Sequence, residues 1–409
     1  VVIMAFCTGC SLLCDDIEVD FEGGKVKRTL NLCRKGRGHY DALTVDRLNP
    51  AVGGSGVVVG EAVKAAAEIL SAAERPLLFG WGRSSLAAQK LGVDLAKKLG
   101  SAIDDPSSYS QGLMTEKILK GEIPTCTFDD VRNFADVSIF WGDDPSSSHP
   151  RHMSRFSYFP RGEKRQRGYE EDREAIVVDV RKSPTAMIAA DGFFKIQSGG
   201  DAAFIEALLA TLGGKIPKVE DKKKMLNLGT KLRKAKFGAI FTGQGLVQSR
   251  KGDVEAFSSL VAKLNELTRF SVIPSLGDYN TRGFNQTLFE ETGFVNSVSF
   301  ADGVSGGPEF GIAKYLDGCD AVMVVGSDPA AVLPAPLAKK LASIPTVAVD
   351  SHRTLTTDAA KVAIPMAVAG LEAGGSALRT DGVKVDFDGV VESDRLPDAE
   401  IIEMIMEAV

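Results

Sequence analysis

Ala135-Asp136-Val137-Ser138-Ile139-Phe140-Trp141-Gly142-Asp143-Asp144-Pro145 and Cys319-Asp320-Ala321-Val322-Met323-Val324-Val325-Gly326-Ser327-Asp328-Pro329 are two versions of one pattern. Each is a short run of strand-forming residues that ends in a Gly-x-Asp-Pro turn. The first continues to Ala175-Ile176-Val177-Val178-Asp179-Val180-Arg181-Lys182-Ser183-Pro184-Thr185, the second to Pro345-Thr346-Val347-Ala348-Val349-Asp350-Ser351-His352-Arg353-Thr354. A short apolar strand follows each, at residues 193–196 and 362–364. Two related doubly wound units in one chain are therefore expected.

The surrounding sequence fits that reading. An Ala-rich helix over 61–73, a buried strand over 76–81 and a helix over 85–99 alternate as in a parallel α/β sheet. A third strand-to-glycine turn, Ala239-Ile240-Phe241-Thr242-Gly243-Gln244-Gly245, fits the start of the second unit. Ligands of open α/β sheets bind at the carboxyl ends of strands, so a cleft between the units is the expected ligand site. Residues 1 to about 50 differ, with a first strand over 1–6 and a hairpin turning at Glu22-Gly23-Gly24-Lys25. At 409 residues the chain can hold two or three domains.

A net charge of −6 leaves no footprint for nucleic acid or an anionic membrane, and Lys222-Lys223-Lys224 reads as a solvated helix face. No stretch approaches the ~20 apolar residues of a membrane span, and the opening residues lack the features of a signal peptide. The expected location is cytoplasmic. Of six cysteines, Cys7, Cys10, Cys14 and Cys33 crowd the N-terminus, while Cys126 and Cys319 stand in apolar surroundings. Without an export signal, disulfides explain such a cluster poorly. Four thiolates at this spacing suit a [4Fe–4S] cluster or zinc, and Lys35 sets a cation beside them.

Several further segments carry a resemblance: Leu13-Cys14-Asp15-Asp16-Ile17, Cys33-Arg34-Lys35-Gly36, His149-Pro150-Arg151-His152-Met153-Ser154-Arg155 and Asn280 followed by Gly283-Phe284-Asn285-Gln286. With Trp141-Gly142 before Pro145, residues 178–182 and His352-Arg353-Thr354, they run in order over nearly the whole chain. The whole resembles the B subunit of formylmethanofuran dehydrogenase, in the molybdopterin oxidoreductase superfamily. The resemblance implies a small β-rich iron–sulfur domain (residues 1–55) and two doubly wound α/β domains of the formate dehydrogenase/DMSO reductase type. These would cover 56–150 with 310–409, and 151–309, without a C-terminal β-barrel, which a separate subunit carries. It further implies two molybdopterin- or tungstopterin-type guanine dinucleotides. Their loops would be Lys35, Gly142, Asp143, Pro145, His149, Arg151, His152, Asp179, Arg181, Lys182, Gly243, Gly245, Ser327, Asp328, His352, Arg353 and Thr354.

The departures from the family bear on chemistry. Its Cys-His-Gly segment, whose cysteine binds the metal, falls on Ser110-Gln111-Gly112, and the arginine of its Ile-Pro-Met-Arg-Gly segment falls on Leu276. Serine is a much weaker acid than cysteine, glutamine carries no proton at neutral pH, and leucine offers no fork to a carboxylate. Asp144 also puts a negative charge where a pyrophosphate would lie. The degenerate loops are thus those of a remnant pterin site, with His149 and His152 structural. Such a chain resembles the redox-inactive B subunit of the formyltransferase/hydrolase complex of methylotrophic bacteria. Its expected partners are formyltransferase, amidohydrolase-like and glutamate-synthase-like subunits. Two alternatives stay open: an active tungsten or molybdenum dehydrogenase using Ser110 or Cys126 as ligand, and a pterin- or nucleotide-binding protein.

Overall fold

The computed structural model describes residues 2–22, 25–170, 173–249 and 254–409. The chain divides into two compact units, Val1–Ser108 with Gly277–Val409, and Tyr109–Leu276. The first is built on a nine-stranded sheet whose five central strands are parallel. In spatial order these are Ala102–Asp104, Pro76–Gly80, Ala321–Val325, Thr346–Asp350 and Val362–Pro365, with short antiparallel pairs at the two edges. The second unit holds a wholly parallel sheet in the order Phe193–Lys195, Glu174–Asp179, Val137–Trp141, Phe237–Thr242, Arg269–Pro274.

The central strands, Ala321–Val325 and Val137–Trp141, are buried throughout, as unbroken apolar runs covered on both faces must be. Helices Val59–Ala72, Leu86–Leu99 and Asp398–Ala408 bring Ala66, Leu70, Val93, Ile401 and Ile405 into the core of the first unit. In the second, Asp201–Leu212, Lys222–Lys234 and Glu255–Leu267 contribute Ile205, Leu208, Leu228, Phe257 and Leu260. After the last parallel strand come only a ribbon, Gly375–Leu378 with Lys384–Phe387, and that final helix; among the described residues no barrel closes. No helix among them is long and apolar enough to cross a membrane.

The repeat holds to the level of single hydrogen bonds. Gly142 and Gly326 have φ of 57° and 55°, a left-handed turn that glycine adopts without strain. Their N–H groups donate to Val178 O (2.8 Å) and Val349 O (2.9 Å) on the next strand. Two residues on, Asp144 Oδ1 accepts from Thr185 Oγ1 (2.6 Å) and Thr185 N (3.2 Å). Asp328 Oδ1 accepts from Thr356 Oγ1 (2.7 Å) and Thr356 N (2.9 Å). The threonine oxygens then accept from Ser146 N and Ala330 N at the start of a short proline-led helix. Each carboxylate thus ties two neighbouring strand-end loops together.

Partner strands differ from the expected order. Phe237–Thr242 does not open a second unit; it pairs with Val137–Trp141, with Gly238 opposite Val137 and Thr242 opposite Trp141. The strand Val137–Trp141 itself, grouped by sequence with 56–150 and 310–409, is the centre of the other unit. The two copies look alike locally, and which strand pairs with which is set by tertiary packing.

At the N-terminus, Val2–Ala5, Ile17–Glu22 and Lys25–Leu30 form a three-stranded antiparallel sheet; Gly23 and Gly24 of the expected turn, and Val1, lie outside the described residues. Helix Arg34–Asp41, not foreseen in this strand-rich segment, follows with Cys33 as its N-cap. Loss of one strand-end carboxylate leaves the paired N–H and hydroxyl groups unsatisfied. Asp328→Ala is therefore expected to lower the unfolding free energy by about 1–3 kcal/mol, read as a lower urea midpoint at unchanged slope.

Candidate functional site

In the second unit the loops after four parallel strands converge. Asp143 is 5% exposed and its Oδ2 accepts from Ser275 Oγ at 2.6 Å. Burial pushes its carboxyl up to about 7 despite that hydrogen bond, and the adjacent Asp144 charge acts in the same direction. Asp144 is held below the usual range because Thr185, Ser147 and Arg181 stabilise its charge against partial burial. Arg181 Nη2 lies 3.3 Å from Asp144 Oδ2, and Arg181 N donates to Asp179 Oδ1 at 3.2 Å. Gly142 admits no side chain, since a Cβ would lie 2.5 Å from Leu246 N; a Cβ on Gly243 would lie 2.0 Å from Gly142 O. Pro145 leads the short helix Pro145–Ser148, Gly245 N donates to Gly142 O at 3.2 Å, Lys182 is exposed and Arg151 half-buried.

The two histidines of this unit sit in different settings. His149 Nε2–H donates to Leu276 O at 2.9 Å, while Nδ1 meets the Ser148 hydroxyl at 2.9 Å. His152 Nδ1 meets Ser157 Oγ at 2.9 Å, and its ring stands edge-on to Phe128, Phe140 and Phe241. That apolar box pushes its imidazole well below the usual range, and Nε2 has no hydrogen-bond partner there. Such a ring is a neutral core element. Gln111 is 1% exposed; Thr242 Oγ1 donates to its Oε1 at 3.1 Å, and its Nε2 has no partner. Leu276 is buried, Ser110 half-buried and Cys126 buried.

In the first unit a cavity of about 220 Å³ is lined by Thr8, Lys35, His39, Arg83, Asp350 and His352, among others. Lys35 and His352, far apart in sequence, meet here. His352 Nε2–H donates to Ala42 O (2.9 Å) and its Nδ1 meets Ser351 Oγ (2.8 Å). Burial beneath the N-terminal loop pushes the His39 imidazole down to about 4. Asp350 Oδ1 accepts from Ser351 N (2.7 Å) and His352 N (3.2 Å), leaving Oδ2 buried and without a hydrogen-bond partner, 3.8 Å from Arg83 Nη2. The Tyr279 hydroxyl is also buried and unpartnered. Ser327 and Asp328 follow the central strand, Arg353 pairs with Asp358 at 3.0 and 3.1 Å, and Thr354 caps the helix Leu355–Ala359. Sequence reasoning missed Arg83, His39 and Tyr279. Arg83 had a legible signal, since Trp81-Gly82-Arg83 follows a strand as the other loops do.

The expected [4Fe–4S] cluster is not supported. Among the described residues no group of three or more His, Cys, Asp or Glu side chains is placed to hold a metal ion. Cys7, Cys10, Cys14 and Cys33 do gather near one another, with Cys7 N donating to Cys14 O at 2.8 Å. Yet Cys33 Sγ faces the helix it caps, accepting from Gly36 N at 3.4 Å. Burial raises the Cys7 and Cys10 thiols. The metal–pterin that the family resemblance implies, already doubtful from the degenerate positions, meets a donor set that does not suit it. A hydroxyl, an amide and an isobutyl group at Ser110, Gln111 and Leu276 supply neither a soft anionic donor nor a cationic fork, so these residues do not fit a group-6 ion.

No protein-family model matches the chain. It is 34% identical to the B subunit of the tungsten-containing formylmethanofuran dehydrogenase 2 of Methanocaldococcus jannaschii, over 100% of this chain and 98% of that one. The protein of the same name from Methanococcus maripaludis is 33% identical over 98% and 97%. Among solved structures, a chain of the formyltransferase/hydrolase complex from Methylorubrum extorquens, in complex with methylofuran, superposes with a TM-score of 0.69. It covers 88% of this chain and 98% of that one at 23% identity, a likeness of fold.

Asp143 gives a pH-dependent readout. With its folded value near 7 and its ordinary value at 3.8, the folded state holds the proton more tightly in between. The stability tied to that proton is present at low pH and lost as the pH rises through 7. Asparagine cannot ionise, so Asp143→Asn is expected to gain stability over the parent between about pH 5 and pH 8, by up to a few kcal/mol. Parallel melting curves at the two pH values check this.

Proposed function

The chain belongs to the family of formylmethanofuran dehydrogenase B subunits, and from that premise we propose that it is a non-catalytic B-type subunit of a multisubunit formyl-transferring complex in one-carbon metabolism. The observation that carries this reading is the trio Ser110, Gln111 and Leu276, with Gln111 Oε1 engaged by Thr242 and the Leu276 carbonyl engaged by His149. None of the three can donate sulfur to a metal, shuttle a proton at neutral pH or clamp a carboxylate. The strand-end aspartates support it too. Asp144 and Asp328 hold their own loops, so the remnant pterin loops act as braces within the fold. On this reading Cys7, Cys10 and Cys14, 5–6% exposed, serve as the buried centre of a small module, with the half-buried Cys33 capping its helix.

The partners are then formyltransferase, amidohydrolase-like and glutamate-synthase-like subunits, and the place of work is the cytoplasm. The chemistry of formyl transfer and hydrolysis lies in those partners, and this chain contributes structure. The test is formate release by the purified native complex carrying Ser110→Ala with Gln111→Ala. Unchanged turnover is the expected result, within about twofold. A loss of tenfold or more (~1.4 kcal/mol of barrier) in a complex of unaltered composition would place this site in the chemistry.

A further inference from the structure

Arg282, in the first unit, is a buried cation that the fold does not pair. The residue is 6% exposed, and its guanidinium makes no hydrogen bond or ion pair among the described residues. Burial works against its charge, and the carboxylate that offsets this is Asp381. Both oxygens of Asp381 are already taken by Arg379, at 2.7 Å each. A carboxylic acid in such a place would take up a proton, but a guanidinium does not shed one. An uncompensated charge in a dry interior is strongly destabilising, so a counter-ion has to come from outside this network.

The backbone beside it offers donors as well. Arg282 is the second residue of helix Thr281–Thr292, and the residue before that helix, Asn280, makes no side-chain cap. Asn280 Oδ1 accepts instead from Leu378 N at 2.8 Å. The N–H groups of Thr281, Arg282 and Gly283 then have no acceptor among the described residues. Helical side chains sweep back toward the N-terminus, so the fork and these N–H groups share one end of the helix. The turn of the ribbon lies against the fork: a Cβ on Gly382 would stand 3.5 Å from Arg282 Nη2. We propose that the N-terminus of this helix and the Arg282 guanidinium bind a small monocarboxylate. The planar fork matches the two oxygens of a carboxylate, and the helix end adds partial positive charge. Asp381 acts on Arg282, and the Asp278 carboxylate and the Thr281 hydroxyl both stand against Gly82. Their charge disfavours a doubly charged anion such as phosphate. Arg282 is not among the pterin-loop positions that the resemblance implies, and the proposal holds whether or not the chain is catalytic.

Equilibrium dialysis of radiolabelled acetate against the purified full chain, at one ionic strength set with chloride, is the test. Acetate has four heavy atoms, which limits its Kd to on the order of 0.1 mM at best. One acetate per chain is expected. Arg282→Lys keeps the charge without the fork and should weaken binding about tenfold, and Arg282→Met should abolish it. Acetate at a hundred times its Kd should raise the parent's melting temperature by about 5 °C and leave that of Arg282→Met in place. In chloride alone Arg282→Met should melt no lower than the parent, because it removes an unmatched buried charge and keeps the bulk. No acetate retained by the parent, or equal retention by Arg282→Met, would overturn the proposal. So would phosphate binding more tightly than acetate, or an Arg282→Met chain that melts well below the parent in chloride.

Discussion

A carboxylate two residues after a left-handed glycine binds the next loop's threonine, and the carboxyl edges of both sheets depend on that contact. The glycine turn brings the chain off the central strand with its N–H on the neighbouring strand; the aspartate then takes both the N–H and the hydroxyl of the threonine that begins the following helix. Without the left-handed turn the carboxylate would not reach, and without the carboxylate the loops would have buried donors to satisfy elsewhere. That the same contact recurs in both units, with the same φ and the same hydrogen-bond acceptors, makes the repeat one of geometry as well as of letters.

The same contacts shape what these edges can do. A strand-end loop whose aspartate already accepts two hydrogen bonds is rigid and internally satisfied. In the first unit Arg83 stands near Asp350 and Asp278, so a cation is countered by carboxylates of its own fold. In the second, the ring of Asp143, Ser275, His149 and Leu276 is closed by protein groups. Among the described residues, the buried groups left without a hydrogen-bond partner near these edges include Gln111 Nε2, Asp350 Oδ2, Asp105 Oδ2, Trp81 Nε1 and the Tyr279 hydroxyl.

Much of this was legible in the letters. Two Gly-x-Asp-Pro turns after strand-like runs, each followed by a second strand and a polar loop, announced the doubled α/β architecture, and both sheets contain those strands. The pairing of Phe237–Thr242 was not legible, because a buried parallel strand reads the same wherever it sits in a sheet. Helix Arg34–Asp41 was hidden by two glycines and several charges; Cys33, expected as a metal ligand, proved to be its cap. The cysteine spacing was visible, but spacing reports proximity, and proximity of four thiols does not by itself make a ligand set. The role of Asp144 turned over in a similar way: read as a charge opposing a pyrophosphate, it is the anchor of its own loop.

A non-catalytic role for this chain requires that the positions of Ser110, Gln111 and Leu276 hold no group-6 metal in the working protein. Elemental analysis of the native complex, purified from cells grown with tungstate and molybdate, addresses this directly. Tungsten and molybdenum at background level, in a complex that transfers and hydrolyses formyl groups at full rate, is the result predicted. Near-stoichiometric tungsten or molybdenum in this chain would contradict it.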